Sequence, residues 1–283
     1  MKLSIFTTYT DPEKRNDPWK EALSCFNFIA DEVIVTGDDW PYEFKWSQIG
    51  KYFQEGLENT SGDWSIRMDI DYFFHEKDIL NLHKYLEKYE NFPIVCFPQY
   101  QFFTINRFQV KTRLCIAVNR KFQHKVKLNG GGDLCLATYE NKLVLPQQVP
   151  NINIPIYQYD STFRTKEIIK KDRFRFAKAW NREFGNFGSR GGNDEDLCFE
   201  AWFNDIKNKY PKHVNQIKFE DHPIFIKNKL RTLSNDQFGY SAFGLKDKWE
   251  SSIGNYLRGY KSLHLDGRIN NIKKFKLNRT VFK

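Results

Sequence analysis

Residues 62–71 read Gly62-Asp63-Trp64-Ser65-Ile66-Arg67-Met68-Asp69-Ile70-Asp71. The sequence predicts a short buried strand over 64–68 that is followed directly by two carboxylates, Asp69 and Asp71. A spacing of two residues sends both side chains to one side of a strand end. Oxygen ligands placed in this way can chelate Mg²⁺ or Mn²⁺ and leave coordination positions open for phosphate oxygens. The alternative is that the two acids only cap the helix that follows.

Strand and helix patterns alternate on both sides of this stretch. Predicted strands cover 2–8, 32–36, 64–68 and 93–97, and predicted helices cover 17–29, 46–58 and 76–89. This alternation predicts a mostly parallel α/β sheet with helices on both faces, whose site lies at the carboxyl ends of the strands. Thr8 and Tyr9 follow the first strand and Asp38 follows the second. We therefore expect all three to approach Asp69 and Asp71.

The second half of the chain has a different pattern. Residues 101–107 and 110–118 predict antiparallel strands, and 154–159 predicts a further strand. Helices are expected over 165–183 and from Asn193-Asp194-Glu195-Asp196 onward. The glycines of 129–133 indicate a loop with unusual backbone angles or a close approach to a ligand. From about residue 219 regularity fades, and 222–226 is the clearest short strand.

Composition excludes several classes of protein. The chain has 283 residues, 40% hydrophobic and 17% aromatic, which is enough for a sizeable core. No apolar run approaches the roughly 20 residues that span a bilayer, and the start turns polar too early for a signal peptide. The five cysteines show no Cys-x-x-Cys spacing, so neither a disulfide framework nor a zinc site is expected. These features favour a cytoplasmic protein without a transmembrane segment.

The net charge of +9 favours anionic partners: nucleotide phosphates, a nucleic acid or an acidic membrane surface. One basic cluster lies on the helix expected over 165–183, with Arg164, Lys166, Lys170 and Arg173 among its members. A second lies in the tail, at 273–283. The alternatives are a solvated helix face and an unstructured end.

The order of these motifs resembles a GT-A glycosyltransferase. The resemblance rests on the strand-end Asp-x-Asp at 69–71 and on Gly191-Gly192-Asn193-Asp194-Glu195-Asp196 at a helix start. It covers about 1–226 and is strongest to small, soluble, phage-type family 2 enzymes. It implies a GT-A sheet with a nucleotide-sugar-binding half at 1–100, an acceptor-side half at 101–226 with antiparallel strands, and a basic C-terminal extension at 227–283.

The same resemblance implies roles for individual residues in binding a donor, expected to be a UDP-sugar. Asp69 and Asp71 match the pair that holds Mn²⁺ or Mg²⁺ against the diphosphate, and His222 matches a late histidine that completes the metal shell. The alternative for a lone histidine is a structural role. Nucleoside contacts are implied at Thr8, Tyr9 and Asp38, and contacts with the leaving diphosphate at Arg164 and Lys166.

The acidic segment 194–196 matches the motif that supplies the catalytic base of inverting enzymes. Alignment on Gly-Gly indicates Asp194, whereas alignment on x-Glu-Asp indicates Asp196, with Glu195 between them. The alternative is an acidic helix cap. One departure is Tyr157-Gln158-Tyr159, where related enzymes often carry an aromatic-His-Tyr, so no role carries over to this position.

These features predict a metal-dependent, inverting transfer of a sugar to a hydroxyl. The first acceptor expected is a hydroxymethylated pyrimidine in DNA; the alternative is a cell-surface glycan or lipid-linked saccharide, with the basic faces near an anionic membrane. A nucleotidyltransferase is disfavoured because 7–12 contains no glycine for a phosphate loop. A non-catalytic nucleic-acid-binding protein would leave the acids at 69, 71 and 194–196 without a purpose.

Overall fold

The computed structural model describes residues 1–129 and 136–250. Its strands are β1 (Leu3–Thr7), β2 (Glu32–Val35), β3 (Trp64–Arg67), β4 (Tyr72–Phe73), β5 (Ile94–Thr104), β6 (Arg107–Asn119), β7 (Val126–Asn129), β8 (Leu136–Tyr139), β9 (Lys142–Leu143), β10 (Ile156–Gln158) and β11 (Asn215–Gln216). Its helices are α1 (Trp19–Ile29), α2 (Trp46–Asn59), α3 (Ile79–Lys88), α4 (Lys166–Phe184), α5 (Glu195–Lys209), α6 (Ile224–Arg231), α7 (Phe238–Ser241) and α8 (Leu245–Glu250).

These elements are organised around one twisted sheet with the strand order β2-β1-β3-β6-β5-β10-β4. β11 pairs with the first two residues of β6, Arg107 and Phe108. β1 is parallel to β2 and β3, and β10 is parallel to β5. β6 is antiparallel to both β3 and β5, and β4 is antiparallel to β10. Consequently β1, β2, β3, β5 and β10 all run in one direction. The predicted mostly parallel sheet with helices on both faces is confirmed.

The central part of the sheet differs from the expected order. β5 was predicted to end near 97, and 101–107 to form a separate strand, but β5 continues to Thr104 and turns back into β6. The returning strand lies between β3 and β5, and its last four residues, 116–119, are buried where it pairs with both of them. The short β4 was not predicted, and β2, predicted as buried, is a partly exposed edge strand.

Two cores lie on opposite faces of the sheet. On one face α1, α3 and α6 pack apolar side chains against it. On the other, α2 contributes Ile49, Phe53 and Leu57, spaced four residues apart, and packs with β7, β8 and α4. Gly62 allows the chain to enter β3, since a Cβ there would lie 2.7 Å from the Ser4 nitrogen. None of the helices in the described residues is long and apolar enough to cross a bilayer.

The C-terminal part corrects one prediction. Residues 222–226 were expected to form a strand, but α6 begins at Ile224. Ile226 and Leu230 lie one helical turn apart and pack into the core beside α1, which favours a helix over an isolated strand. The glycine loop at 130–133 and the basic tail at 273–283 lie outside the described residues.

Candidate active site

A pocket of about 290 Å³ opens at the carboxyl ends of β1, β3 and β10. Because these strands run in the same direction, the residues that follow them meet at one edge of the sheet. The pocket is lined by Thr8, Tyr9, Arg15, Asp17, Trp40, Trp46, Ile49, Phe53, Asp69, Ile70, Asp71, Gln158, Asp160, Arg164, Asp172, Arg173 and Phe176. The structure thus brings five predicted positions together at this pocket, those of Thr8, Tyr9, Asp69, Asp71 and Arg164.

Asp69 and Asp71 are held by the turn that leaves β3. The Tyr72 nitrogen donates to the Asp69 carbonyl oxygen at 2.9 Å, and the Tyr159 nitrogen donates to the Asp71 carbonyl oxygen at 3.0 Å. The Asp69 carboxylate lies 3.8 Å from the Arg67 guanidinium, and that of Asp71 accepts from Gln158 Nε2 at 3.3 Å. The two carboxylates are therefore fixed on one wall of the pocket, and both remain partly accessible.

Thr8 and Tyr9 form the wall at the end of β1. The Thr8 hydroxyl accepts from Trp40 Nε1 at 2.7 Å and donates to the Gly37 carbonyl at 3.2 Å, so it fastens the ends of β1 and β2 together. Tyr9 packs its ring against Trp19 and keeps part of its surface open. Burial, and then the nearby charge of Asp38, raise the pKa of Tyr9. Asp38 itself is exposed and lies outside the pocket lining.

Arg164 belongs to a buried ion network. Its guanidinium donates to Asp17 at 2.6 Å and to Asp172 at 2.8 Å, and Arg15 lies 2.9 Å from Asp172. Burial disfavours the charged carboxylate of Asp172, but Arg15 and Arg164 outweigh it and lower its pKa to about 2. The network ties the start of α1 to α4. Arg164 is thus engaged by carboxylates, which differs from the phosphate contact implied by the resemblance.

Asp160 and Arg173 are further charged groups of the pocket. Asp160 follows β10, and its Oδ1 accepts from Ser161 Oγ at 2.9 Å and lies 3.6 Å from Arg173 Nη2. Its Oδ2 has no recorded hydrogen bond with residues 1–129 or 136–250. The sequence analysis did not single out Asp160. A partial signal is its position directly after the strand expected over 154–159, but the parallel pairing of that strand with β5 cannot be seen in the sequence.

The charges of the pocket favour a cation beside an anionic ligand. Its lining carries five aspartates and three arginines, and two of each form the Arg164 network. The remaining charged lining residues are Asp69, Asp71, Asp160 and Arg173, and Asp69 also lies 3.8 Å from the buried Arg67. No group of three or more metal-binding side chains occurs in the part of the chain that the structure describes. Two carboxylates fit Mg²⁺ or Mn²⁺, which commonly completes its shell with substrate phosphates and water.

His222 is placed differently from the implied metal ligand. Its ring is fully buried, Nδ1 shares a 2.6 Å hydrogen bond with the Tyr159 hydroxyl, and Nε2 lies 2.8 Å from the Ile105 carbonyl oxygen. Burial lowers the pKa of the imidazole to about 4. Since both nitrogens are engaged by the protein, the ring has no position for a metal in this conformation. Its structural role is to join β5, β10 and α6.

The acidic segment at the start of α5 lies outside the pocket. Asp194 caps α5, since its carboxylate accepts from the Leu197 nitrogen at 2.9 Å. Asp196 is exposed and pairs with Lys170 at 2.6 Å, which lowers its carboxyl pKa. Glu195 lines a second cavity of about 590 Å³, which shares Arg15 and Asp172 with the pocket. The structure therefore does not bring these acids to Asp69 and Asp71.

Lys166 also lies outside the pocket, at the exposed first turn of α4. Its ammonium group lies 5.0 Å from the ring centre of Phe199. An aromatic and aliphatic wall completes the pocket on the side of α2 and α4, and consists of Trp40, Trp46, Ile49, Phe53 and Phe176. The pocket thus has one apolar wall and one charged wall.

Comparisons with known proteins give a remote structural likeness. No protein-family model and no curated protein sequence matches the chain. A solved structure of S. aureus TarS 1–349 has 12% identity and a TM-score of 0.33, and the match covers 94% of this chain and 92% of that chain. Its complex with UDP-GlcNAc has 11% identity, the same coverage and a TM-score of 0.33. At a TM-score of 0.33 the likeness carries no argument about function. The argument about function rests on the geometry of the pocket.

Proposed function

We propose that the chain is a glycosyltransferase that moves a sugar from a nucleotide sugar, expected to be a UDP-sugar, to a hydroxyl acceptor. The observation that carries the proposal is the pocket that combines Tyr9 and an apolar wall with Asp69, Asp71 and Asp160. A planar base and a charged diphosphate need these two kinds of surface side by side. The position at the carboxyl edge of parallel strands also fits a nucleotide ligand.

Donor binding divides the pocket into two parts. The base and ribose lie toward Tyr9, and Asp38, whose charge acts on Tyr9 from outside the pocket lining, accepts a hydrogen bond from them. The diphosphate lies toward Asp69 and Asp71 and is also contacted by Arg173. Asp69 and Asp71 would hold a divalent cation, which would supply charge stabilisation to the departing nucleoside diphosphate. Arg164 keeps Asp17 and Asp172 neutralised and so holds α4 in place along the pocket.

Asp160 is the general base in this proposal. As the acceptor hydroxyl oxygen bonds to the anomeric carbon, Asp160 accepts its proton, and the bond from that carbon to the diphosphate oxygen breaks. The nucleoside diphosphate leaves with the electron pair, and a single displacement inverts the anomeric configuration. Asp160 is suited to this task because it lines the same pocket as Asp69 and Asp71. Asp194, Glu195 and Asp196 remain the competing candidates, which would require a different arrangement of α5.

The acceptor proposed first is DNA that carries a hydroxymethylated pyrimidine. The net charge of +9 supports a polyanionic acceptor, and a hydroxymethyl group flipped out of the helix presents one hydroxyl. A glycan or lipid-linked saccharide is the competing acceptor. Both acceptors use the same donor pocket and the same displacement.

Turnover of nucleotide sugars tests the proposal. Release of the nucleoside diphosphate is measured with Mn²⁺ for a panel of nucleotide sugars, each with plain DNA, hydroxymethylated DNA or simple saccharides. We expect release with a UDP-sugar that depends on hydroxymethylated DNA. Release only with saccharides would replace the acceptor and keep the enzyme class. No acceptor-dependent release from any nucleotide sugar would contradict the proposed activity.

A further inference from the structure

A row of aromatic rings leads from the pocket to the protein surface. Trp46 lines the pocket, and its ring centre lies 5.3 Å from that of Trp180 on α4. The Trp180 ring lies 4.2 Å from that of Phe184, at the end of α4. Phe184 exposes 50% of its surface. The row therefore connects the candidate active site with solvent through three adjacent rings.

Arg190 lies on this row. Its guanidinium carbon is 3.5 Å from the ring centre of Trp180 and 4.9 Å from that of Trp46. No ion pair with an acidic residue is recorded for Arg190 in the described ranges, 1–129 and 136–250. The nearest acid in the sequence, Asp194, accepts from the Leu197 nitrogen at 2.9 Å, and Glu183 accepts from the hydroxyl of Ser47 at 2.7 Å. A half-buried arginine that stacks on two rings and lacks a carboxylate is suited to an anionic ligand.

The elements that carry the row also contain lysine and arginine. Lys45 directly precedes Trp46, and Lys178 and Arg182 lie on α4 two residues before and after Trp180, on a different face of the helix. Lys178 reaches the amide oxygen of Asn193 and pairs with no acid among the described residues. Stacked rings together with an arginine that has no carboxylate partner among the described residues form the combination that binds single-stranded nucleic acid, in which bases stack and phosphates contact arginine.

We propose that Phe184 and Arg190 form a subsite for single-stranded nucleic acid next to the active site: a base stacks on the exposed face of Phe184, and Arg190 contacts the adjacent phosphodiester. This deepens the proposed function, on which it rests, by assigning a surface to the acceptor strand. A carbohydrate can also stack on an aromatic ring, but it offers no charge to Arg190. The unpaired guanidinium therefore favours nucleic acid.

The test is the affinity of the full chain for a fluorescently labelled oligothymidylate, measured by anisotropy without donor or metal. Phe184→Ala and Arg190→Ala are each expected to weaken binding at least about fivefold. Phe28→Ala and Arg231→Ala are the matched controls. Phe28 is also an exposed ring stacked on another, at 5.4 Å from Phe225, and Arg231 also lies over a ring, 5.2 Å from Phe219. Both controls are expected to bind like the wild type.

Salt dependence separates a phosphate contact from a loss of packing. Arg190→Ala is expected to reduce the slope of log affinity against log salt by about 0.7, whereas Arg190→Lys retains the slope. Binding that is equal in all variants would overturn the subsite. The subsite would also be overturned if the wild type bound a simple saccharide but not oligothymidylate, and if Phe184→Ala and Arg190→Ala lost the saccharide binding. The binding assay measures no turnover, so its result can be interpreted even if the sugar-transfer proposal fails. The turnover assay can likewise be interpreted if the subsite proposal fails.

Discussion

The side-chain amide of Gln158 donates a hydrogen bond of 3.3 Å to Oδ2 of Asp71, which joins the carboxyl end of β10 to the turn after β3. Gln158 is itself held by Gln99, whose Nε2 donates to its side-chain oxygen at 2.6 Å. The orientation of Asp71 therefore depends on buried amides of two neighbouring strands. This second layer of hydrogen bonds positions a carboxylate that we propose as a metal ligand.

Gln158→Leu is expected to weaken the binding of Mn²⁺ in the presence of UDP by about 10–100-fold, because Asp71 loses a hydrogen-bond donor to its Oδ2. Calorimetric titration of Mn²⁺ measures the effect. The matched control is Gln101→Leu, which removes another buried amide pair, with Gln109 at 2.7 Å, away from the pocket. Equal metal affinity in the two variants would show that Gln158 has no positioning role.

Asp160→Asn is expected to lower kcat by about 10²–10⁴-fold with the KM for the donor unchanged, since only proton transfer is removed. Initial-rate kinetics measure both constants. Asp194→Asn, Glu195→Gln and Asp196→Asn serve as parallel variants and are expected to keep most of the turnover. If one of these three loses turnover and Asp160→Asn does not, the base lies in the acidic segment.

Arg164→Met is expected to destabilise the fold by about 3 kcal/mol, because the buried carboxylates of Asp17 and Asp172 would then share Arg15 as their one arginine partner among the pairs described above. Urea unfolding of the variant measures the change. Lys166→Met, on the exposed side of the same helix start, is expected to have little effect. A stable Arg164→Met protein that has lost only nucleotide affinity would instead support a direct phosphate contact.

The free energy of unfolding is expected to decrease as the pH is lowered, because of His213. Its ring is buried against Phe103 at 4.1 Å, and burial lowers its pKa from 6.5 to about 3. In the unfolded chain the His213 imidazole is protonated near pH 6.5, whereas in the folded chain it is protonated only near pH 3. Stability is therefore lost as pH falls through this range. At pH 5 the loss is about 2 kcal/mol.

His213→Phe removes this titration and keeps a planar ring in the core. Urea unfolding at pH 7.5 and pH 5 compares the two proteins. The variant should lose less stability than the wild type over this interval. An identical loss in both proteins would mean that His213 is not the group responsible.

Much of the site was predictable because local patterns set it. Tyr9 and Asp69 follow short buried strands, and parallel strands bring their ends together, so alternation of strands and helices was enough to place them at one edge. Asp160 required knowledge that β10 lies parallel to β5, a pairing between residues about 60 positions apart. Local sequence does not encode that pairing.

Other features depend on contacts that no local pattern reveals. Asp17 pairs with Arg164 across 147 positions, a contact that no local pattern predicts. The apolar run at 222–226 is compatible with a strand or a helix. The helix is favoured because it packs Ile226 and Leu230 into the same core as the side chains of α1. The Arg190 stack was likewise hidden, since Trp46 lies far from it in sequence.

Binding of UDP in the presence and absence of Mn²⁺ tests the central claim, that Asp69 and Asp71 hold a cation against a nucleoside diphosphate. Calorimetry compares the wild type with Asp69→Asn and Asp71→Asn, and with Asp63→Asn, an exposed acid before the same strand, as the control. We predict cation-dependent binding in the wild type and in Asp63→Asn, and a loss of at least about tenfold in the other two, with unfolding transitions unchanged. Undiminished, cation-dependent UDP binding in both Asp69→Asn and Asp71→Asn would contradict the account.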